Sequence, residues 1–341
     1  MEMKFSKIGC LLSWQRNSLV LHVLLVAIFL GWLPTCSTLY SAGEDTSAHQ
    51  ADPIEKLLSQ GETAFDHSDY ATAQSYYEQA LKRAQELGQR SSEALAVLGL
   101  GKVSRYMRQY EEARAYSEQA LKIARELGER STEAMVLSNL GNVSGGLRQY
   151  EGARDYFEQA LRLARELGER STEVSAVLGL GKVSRYMRRY EEAQAYFEQA
   201  LRLAQELSQR RMEASALGNL GSVSEKLGEY GAARTYYQEA LTVARELGQR
   251  RTEASAVLGL GDMSRQLGEY EAARTYYSQA LRLAQELGER RTEASALLGL
   301  GIMTFQLGEN GVAQAYYEQA LKIAQELGQR RTEASAVLGL G

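Results

Sequence analysis

The stretch that decides the fold is STEAMVLSNLGNVSGGLRQYEGARDYFEQALRLARELG, residues 131–168. In its second half, apolar side chains recur at spacings of three and four residues. They are Ala153, Tyr156, Phe157, Ala160, Leu161, Ala164 and Leu167. This spacing predicts an amphipathic helix from Glu151 to Leu167. Gly168 follows directly and is expected to end the helix, because glycine accepts the left-handed conformation at low cost.

The first half of the stretch predicts another helix, which runs to about Gly145. Ser131 or Thr132 is expected to cap its start with a side-chain oxygen. Glu133 then lies in the first turn, where the helix dipole favours a negative charge. The stretch is therefore one helix–turn–helix unit, with its turn at residues 148–150.

This unit is repeated along the chain with a period of 40 residues. Its markers are Tyr70, Tyr110, Tyr150, Tyr190, Tyr230 and Tyr270, with Asn310 in the seventh place; Ala80, Ala120, Ala160, Ala200, Ala240, Ala280 and Ala320; and Gly61, Gly101, Gly141, Gly181, Gly221, Gly261, Gly301 and Gly341. A strict period of this length is typical of a solenoid. We predict an all-α solenoid of seven repeats over residues 53–330, followed by the truncated first helix of an eighth repeat at residues 331–341.

A glycine in the middle of each first helix needs a physical reason, because glycine in a helix interior costs roughly 0.5–1 kcal/mol relative to alanine. We expect Gly101 to face Ala113 and Ala120, so that the paired helices approach closely. A phosphate-binding glycine loop is excluded, since the required spacing of glycines, lysine and serine is missing.

Composition limits the chemistry of the repeated part. The chain has 341 residues and a formal net charge of −4, and its residues 68–341 contain no proline, cysteine, tryptophan or histidine. No catalytic triad, Cys–His pair or His/Cys metal cluster can form there. A nucleic-acid-binding protein usually shows a concentrated basic face, which the mild charge does not favour. We expect no enzyme activity, no cofactor, no bound metal and no nucleic-acid partner.

The first 42 residues are different in character. Basic residues at Lys4, Lys7 and Arg16 precede an apolar run at residues 19–33, and small and polar residues follow. This order is typical of a secretory signal peptide. An uncleaved membrane anchor at residues 19–40 and a lipid-modified Cys36 remain as alternatives. Each would place the repeats outside the cytosol (periplasmic, extracellular or luminal), after a polar linker at residues 43–52.

The repeats resemble the tetratricopeptide repeat family, whose pattern is W-x2-L-G-x2-Y…A-x3-F. The matching positions are Val177, Leu180, Gly181, Ser184, Ala193 and Phe197. Valine stands in place of the tryptophan, and the closing proline of the family is missing. The resemblance implies a right-handed α-solenoid of helix–turn–helix repeats that binds a peptide or partner protein. The 40-residue unit is similar to a long-repeat subgroup that includes Pins-like polarity adaptors and arrays joined to caspase-like CHAT domains.

In such a stack the first helices line a concave groove. The stripe expected to face it includes Leu95 and Leu98, and it varies between repeats far more than the packing positions do. Its candidate binding residues in repeats two to four are Lys102, Arg105, Tyr106, Asn139, Asn142, Lys182, Arg185 and Tyr186. The set is similar to the lysine, asparagine and arginine clamp with which some members of the family hold an acidic peptide terminus. The alternatives are a solvated basic stretch and, for the two tyrosines, packing beneath the adjacent loop.

Three hypotheses of function follow. The first is an exported, non-catalytic scaffold whose groove holds a peptide or partner protein, with or without acidic groups. The second is the sensing arm of a larger enzyme, such as a CHAT-type protease, whose effector would follow residue 341. The third is self-association through the apolar C-terminal end, ASAVLGLG at residues 334–341. A membrane partner is expected only through the N-terminal segment.

Overall fold

The computed structural model describes residues 53–341, and within this range the chain forms fifteen α-helices and no strand. The helices are α1 (Pro53–Asp66), α2 (Tyr70–Leu87), α3 (Arg90–Tyr106), α4 (Tyr110–Leu127), α5 (Arg130–Gly146), α6 (Tyr150–Leu167), α7 (Arg170–Tyr186), α8 (Tyr190–Glu206), α9 (Arg210–Leu227), α10 (Tyr230–Glu246), α11 (Arg250–Gln266), α12 (Tyr270–Leu287), α13 (Arg290–Gln306), α14 (Asn310–Glu326) and α15 (Arg330–Leu340).

The helices pack in chain order as antiparallel neighbours, and each repeat consists of a first and a second helix. Each first helix also contacts the first helix of the next repeat, which places the first helices side by side along one face. The predicted all-α solenoid is therefore confirmed. The core runs along the whole array as a chain of small clusters, such as the one around Phe157, Val177, Leu180 and Phe197.

Glycine follows the second helices in the predicted way, except in repeat four, where Ser208 takes the left-handed conformation with φ 54°. Gly168 has φ 70° and ψ 20°, and the following backbone N–H of Glu169 donates to the carbonyl of Ala164 at 2.8 Å. The predicted start of the first helix is wrong, however. Helix α5 begins at Arg130, its cap residue is Glu129, and no side chain caps it. The reason is the short link between the helices, because only Glu129 separates Gly168's counterpart Gly128 from the start of α5. Thr132 therefore lies within α5, and its hydroxyl donates to the Glu129 carboxylate instead.

The glycines inside the first helices make room for aromatic rings. A Cβ atom on Gly141 would lie 2.8 Å from the ring of Phe157, and one on Gly179 would lie 2.2 Å from the same ring. Phe157, in α6, is thus held between a glycine of its own repeat and a glycine of the next one. The same arrangement surrounds Tyr77, Tyr237, Tyr277 and Tyr317. The expectation that these glycines face small alanines is therefore wrong for most repeats, because a ring fills the space.

Two repeats depart from this arrangement. After Phe197 of repeat four, Asn219 stands in the place of the second glycine, and in repeat two both the ring and the second glycine are replaced. Ser117 stands where the other repeats carry the ring, and it is buried. Asn139 then stands where Gly179 stands in the next repeat, and its Nδ2 donates to Ser117 Oγ at 2.9 Å. A Cβ on Gly101 would meet Ser117 Oγ at 3.0 Å and the carbonyl of Ala113 at 3.4 Å. The expected contact between Gly101 and Ala113 is therefore present, through the backbone carbonyl of Ala113.

Ion pairs link the two helices of a repeat along one rim of the solenoid. In repeats two to seven, the arginine that opens the first helix pairs with a glutamate near the end of the second helix, as in Arg90 with Glu126 at 2.9 Å and Arg170 with Glu206 at 2.6 Å. The partners are about half exposed. Such pairs contribute at most about 1 kcal/mol each.

Residues 1–42, interpreted above as a signal peptide or membrane anchor, and the linker at residues 43–52 lie outside the described residues. Among the helices of residues 53–341, none combines the length and apolar character that crossing a membrane requires.

The ring-and-glycine packing predicts opposite effects for two glycine-to-alanine changes. Gly179→Ala is expected to destabilise the array by roughly 1–3 kcal/mol, because the new methyl group overlaps the buried ring of Phe157. Gly218→Ala is the matched control, since it also lies inside a first helix but a Cβ there meets nothing within 4 Å. It should stabilise by about 0.5–1 kcal/mol. Urea unfolding midpoints of both variants test this, and equal effects would contradict the packing.

Candidate functional site

The first helices expose one continuous face, and the part formed by repeats two to four encloses a cavity of about 750 Å³. We call it the Arg-Tyr pocket. One wall consists of the C-terminal ends of α3, α5 and α7, with Arg105, Tyr106, Lys182, Arg185 and Tyr186. The opposite wall comes from far along the chain. It includes Arg251 at the start of α11 and residues 288–291, which form the link between α12 and α13 and the first residues of α13.

The two walls meet because the solenoid coils back over itself. Asp66 of repeat one pairs with Arg211 of repeat five, and Arg251 Nη1 of repeat six donates to the hydroxyl of Tyr70 at 3.1 Å. The contacting residues are thus four to five repeats apart. Long side chains, rather than packed helices, bridge the successive turns.

The pocket owes its space to repeat three. Repeats two and four carry an arginine–tyrosine pair at the end of the first helix, whereas repeat three carries Gly145-Gly146. A Cβ atom on Gly145 would meet nothing within 4 Å, so the cavity is open at this point. Gly146 instead lies against the ring of Tyr110, which a Cβ atom would approach to 2.2 Å. The missing side chains separate the two arginine–tyrosine pairs and leave room between them.

Both arginine–tyrosine pairs are built in the same way. The guanidinium of Arg105 lies 4.3 Å from the ring centre of Tyr106, and that of Arg185 lies 4.8 Å from the ring centre of Tyr186. Each ring also stacks on a tyrosine that opens a second helix, Tyr106 on Tyr70 and Tyr186 on Tyr150, both at 5.5 Å. The rings remain 43% and 53% exposed. Stacking therefore orients both rings and still leaves about half of their surface for a ligand.

The cations of the near wall have no carboxylate partner among the described residues. Arg105 Nε donates to the side-chain oxygen of Asn139 at 3.2 Å, and Arg185 Nη1 lies 3.4 Å from the hydroxyl of Ser222. Arg185 Nε is buried and has no hydrogen-bond partner. Within the described chain Lys182 makes no ion pair and no hydrogen bond. The only carboxylate among the pocket-lining residues of the described chain is Glu289, which pairs with Arg251.

The electrostatics of the pocket follow from these positions. Burial among the surrounding helices lowers the pKa of Lys182, and repulsion from Arg105 and Arg185 lowers it further. Burial would raise the pKa of Tyr106, but the positive charges of Arg105, Lys182 and Arg251 outweigh it, and that pKa is lowered. The positive charges thus act on both groups, most clearly on Tyr106, whose pKa they lower against the effect of burial.

A buried hydroxyl distinguishes the repeats along the groove. In repeats one and six the buried ring is a tyrosine, whose hydroxyl donates to a groove carboxylate: Tyr77 to Glu62 at 2.9 Å and Tyr277 to Asp262 at 2.7 Å. Burial raises the pKa of Asp262 in this contact. Repeats three and four carry Phe157 and Phe197 instead. The groove residues Asn142 and Lys182 therefore have no hydroxyl beneath them.

The structure places six of the eight candidate binding residues on the wall of this pocket: Arg105, Tyr106, Asn142, Lys182, Arg185 and Tyr186. Lys102 lies outside it and pairs with Glu62 at 3.5 Å. Asn139 is buried, donates to Ser117 and accepts from Arg105, so it orients Arg105 and does not face the pocket itself. Leu98 was expected to face the groove, but it is 2% exposed and belongs to the core.

Sequence reasoning missed the opposite wall. Arg251, Glu289 and Arg291 reach the pocket from repeats six and seven. Their approach depends on the pitch of the superhelix, and neither motif nor spacing within one repeat reports that pitch. Among residues 53–341, no group of three or more histidine, cysteine, aspartate or glutamate residues could hold a metal ion.

Comparison with known families identifies the repeats. The model of the tetratricopeptide repeat family matches residues 92–166, 173–246 and 252–326, which together make up more than half of the chain. No curated protein sequence matches the chain.

Several solved structures share the fold at low sequence identity. The Rap conjugation gene regulator of plasmid pLS20, in complex with the Phr* peptide, is 18% identical with a TM-score of 0.63, over 89% of this chain and 82% of that chain. NprR in complex with its cognate peptide NprX is 14% identical with a TM-score of 0.60, over 85% and 83% of the two chains. A signal transduction ATPase with a tetratricopeptide repeat sensor from Pyrococcus horikoshii is 16% identical with a TM-score of 0.62, over 85% of this chain and 47% of that chain.

The unpaired charge of Lys182 makes a prediction about stability. The folded chain holds this proton less tightly than the unfolded chain, because the pKa in the fold lies below its ordinary value of 10.5. Wherever the pH lies below the lowered pKa, both states are protonated, and the folded chain carries the full cost of the charge. Lys182→Gln is therefore expected to stabilise the protein at pH 7, by roughly 0.5–2 kcal/mol. The gain should shrink as pH rises through the lowered pKa towards 10.5.

Urea unfolding at pH 7 and at higher pH measures this difference. Lys102→Gln is the matched control, since Lys102 occupies the same place in repeat two but has a carboxylate partner. Its removal should cost between 0 and about 1 kcal/mol. A loss of stability in Lys182→Gln at pH 7 would contradict the unpaired state of this amine.

Proposed function

The chain belongs to the tetratricopeptide repeat family, and we propose that it is a non-catalytic scaffold whose groove binds a peptide or an extended segment of a partner protein. The Arg-Tyr pocket is the observation that carries the proposal. It combines two half-exposed tyrosine rings with cations that lack carboxylate partners, all on rigid helices. Aromatic and arginine side chains of this kind supply most of the binding energy at many protein interfaces.

Two of the similar structures support a peptide as the ligand. The Rap regulator is in complex with Phr*, and NprR with NprX. Both chains are matched over more than four fifths of their length. The likeness concerns the fold, and the residues of the Arg-Tyr pocket add the chemical reason for expecting a peptide here.

The binding test uses the full chain, immobilised and incubated with a degenerate library of ten-residue peptides, and identifies retained peptides by mass spectrometry. Scaffold function requires a saturable set of retained peptides. If no peptide is retained at any protein concentration, the proposed function fails.

The tyrosine pair gives a prediction for any retained peptide. The double variant Tyr106→Ala with Tyr186→Ala is expected to weaken its binding by at least roughly tenfold, because both exposed ring faces are lost. Fluorescence anisotropy with a labelled copy of the peptide measures the affinity. Leu127→Ala removes a similarly exposed apolar side chain, 42% exposed and outside the pocket, and should change affinity less than twofold. Unchanged binding in the tyrosine variant would place the ligand elsewhere.

Residues 1–42 support a location outside the cytosol, through their basic start and the apolar run at residues 19–33. A full-length fusion to alkaline phosphatase, which is active only after export, is expected to be active. Deletion of residues 1–42 should abolish that activity. N-terminal sequencing of the exported protein then distinguishes a cleaved signal peptide from an uncleaved anchor, and an inactive full-length fusion would contradict export.

A second candidate function is the sensing arm of a larger enzyme. The observation that favours it is the likeness to the Pyrococcus horikoshii ATPase, whose tetratricopeptide repeat sensor is part of a much longer chain. The resemblance to the long-repeat arrays of CHAT proteins points in the same direction. Reading the coding sequence beyond codon 341 separates this function from that of a free-standing scaffold.

A further inference from the structure

The Arg-Tyr pocket carries positive charge that the fold itself does not use. Seven cationic side chains and one carboxylate line the pocket in the described part of the chain. On the near wall, Arg105, Lys182 and Arg185 have no carboxylate within ion-pairing distance among the described residues, and Arg185 Nε has no partner at all. A buried guanidinium nitrogen without an acceptor is costly, so a missing acceptor is the simplest explanation of its position.

The rest of the chain treats the same residue type differently. Arginines on the rim are held in repeated ion pairs, such as Arg90 with Glu93 at 2.7 Å and Glu126 at 2.9 Å. The pocket is thus a local departure from a rule that the repeat otherwise follows. The unpaired charge arises because the groove positions of repeats two and four carry cations, while the same positions of repeat three carry no carboxylate to pair with them.

The geometry of the cations fits an oxyanion. Arginine presents a planar fork of N–H donors that can hold two oxygens at once, and lysine supplies a mobile point charge. The two arginines are fixed in orientation by their tyrosine rings, 4.3 Å and 4.8 Å away. Lys182 lies on the same helix as Arg185, three residues earlier, and has no hydroxyl beneath it, since its repeat carries Phe197.

Arg251 adds a donor from the other wall. Its Nη1 is held by the hydroxyl of Tyr70 at 3.1 Å, and its Nε is paired with Glu289. Its charge also reaches Tyr106, whose pKa it helps to lower. A ligand oxyanion near Tyr106 would therefore face donors from both turns of the superhelix. It would compete with Glu289 for Arg251.

We propose that the Arg-Tyr pocket binds an oxyanion of the peptide ligand, a carboxylate or a phosphate group, between Arg105, Lys182 and Arg185 on one turn of the superhelix and Arg251 on the next. This inference rests on the proposed peptide-binding function and specifies the ligand class. Gly145 is the gap that admits the group. Glu289 is the internal carboxylate that holds Arg251 until the ligand arrives.

The test uses the full chain and peptide libraries in which one central residue is fixed as glutamate, phosphoserine, serine, glutamine or lysine, while the other positions are degenerate. Enrichment of glutamate or phosphoserine over glutamine and serine is expected, and lysine should be depleted. The stronger of the two acidic libraries identifies whether the group is a carboxylate or a phosphate. Affinities of selected peptides are then measured by fluorescence anisotropy.

The variants locate the site. Lys182→Gln and Arg185→Gln are each expected to weaken binding of an acidic peptide at least tenfold, and Arg251→Gln to weaken it severalfold. Gly145→Phe should abolish binding by filling the cavity. Glu289→Gln is expected to strengthen binding, because it releases Arg251. Lys102→Gln, in the matching place of repeat two, and Arg162→Gln, on an exposed second helix, should change it less than twofold. Circular dichroism and unfolding midpoints check that each variant folds.

The possible failures are distinct. If peptides bind without preference for an acidic residue, or if Lys182→Gln and Lys102→Gln weaken binding equally, the oxyanion site is overturned while peptide binding stands. If no library is retained, the proposed function fails and the site fails with it.

Discussion

The array depends above all on one packing constraint, which is the aromatic ring that every complete repeat except repeat two places between two first helices. Phe157 lies against Gly141 on one side and Gly179 on the other, and any Cβ at either glycine would overlap it. The ring thus contacts two successive repeats and fixes their spacing and relative rotation. Because each repeat contacts mainly its neighbours, a fixed rotation is added at every step and sets the coil of the solenoid.

The coil in turn creates the candidate site. Four to five such steps bring Arg211 and Arg251 over the start of the array, where they meet Asp66 and Tyr70. Neither wall of the Arg-Tyr pocket is sufficient alone. The near wall depends on the residue choices of repeats two to four, above all Gly145, and the far wall depends on the accumulated rotation.

Much of the fold could be predicted from the sequence, because helix periodicity, the terminating glycines and the 40-residue period are all local signals. The pairing of ring and glycine was also present in the sequence. In repeat two, Ser117 and Asn139 replace the usual ring and glycine together, and Asn139 donates to Ser117. The pairing is not strict, since Asn219 follows Phe197. The joint change at Ser117 and Asn139 indicates a contact between them, and it assigns Asn139 to the packing of the core instead of to ligand binding.

Only the near wall of the Arg-Tyr pocket could be predicted from the sequence, for a physical reason. Residues on one helix face share a groove whatever the pitch, so Arg105, Tyr106, Lys182 and Arg185 could be grouped from spacing alone. Arg251 and Glu289 could not, since their distance from the pocket is the sum of several small rotations. Lys102 was misplaced because its neighbour in space is Glu62, one repeat earlier, and that carboxylate neutralises it.

The difference between Lys102 and Lys182 shows how a repeat protein can acquire a binding site. Both lysines occupy the same place in nearly identical helices, and the sequence around them is GKVSRYMR in both repeats. One faces a glutamate of the preceding repeat, and the other faces Asn142 and the opening left by Gly145. Copying a repeat reproduces its core, because the core contacts are made again at each step. The charge balance of the groove is set between repeats, so a change in one repeat leaves the cations of its neighbours unpaired. Uncompensated charge in a rigid, positively charged pocket is a feature that stability alone does not favour, and an anionic partner is the simplest physical reason to keep it.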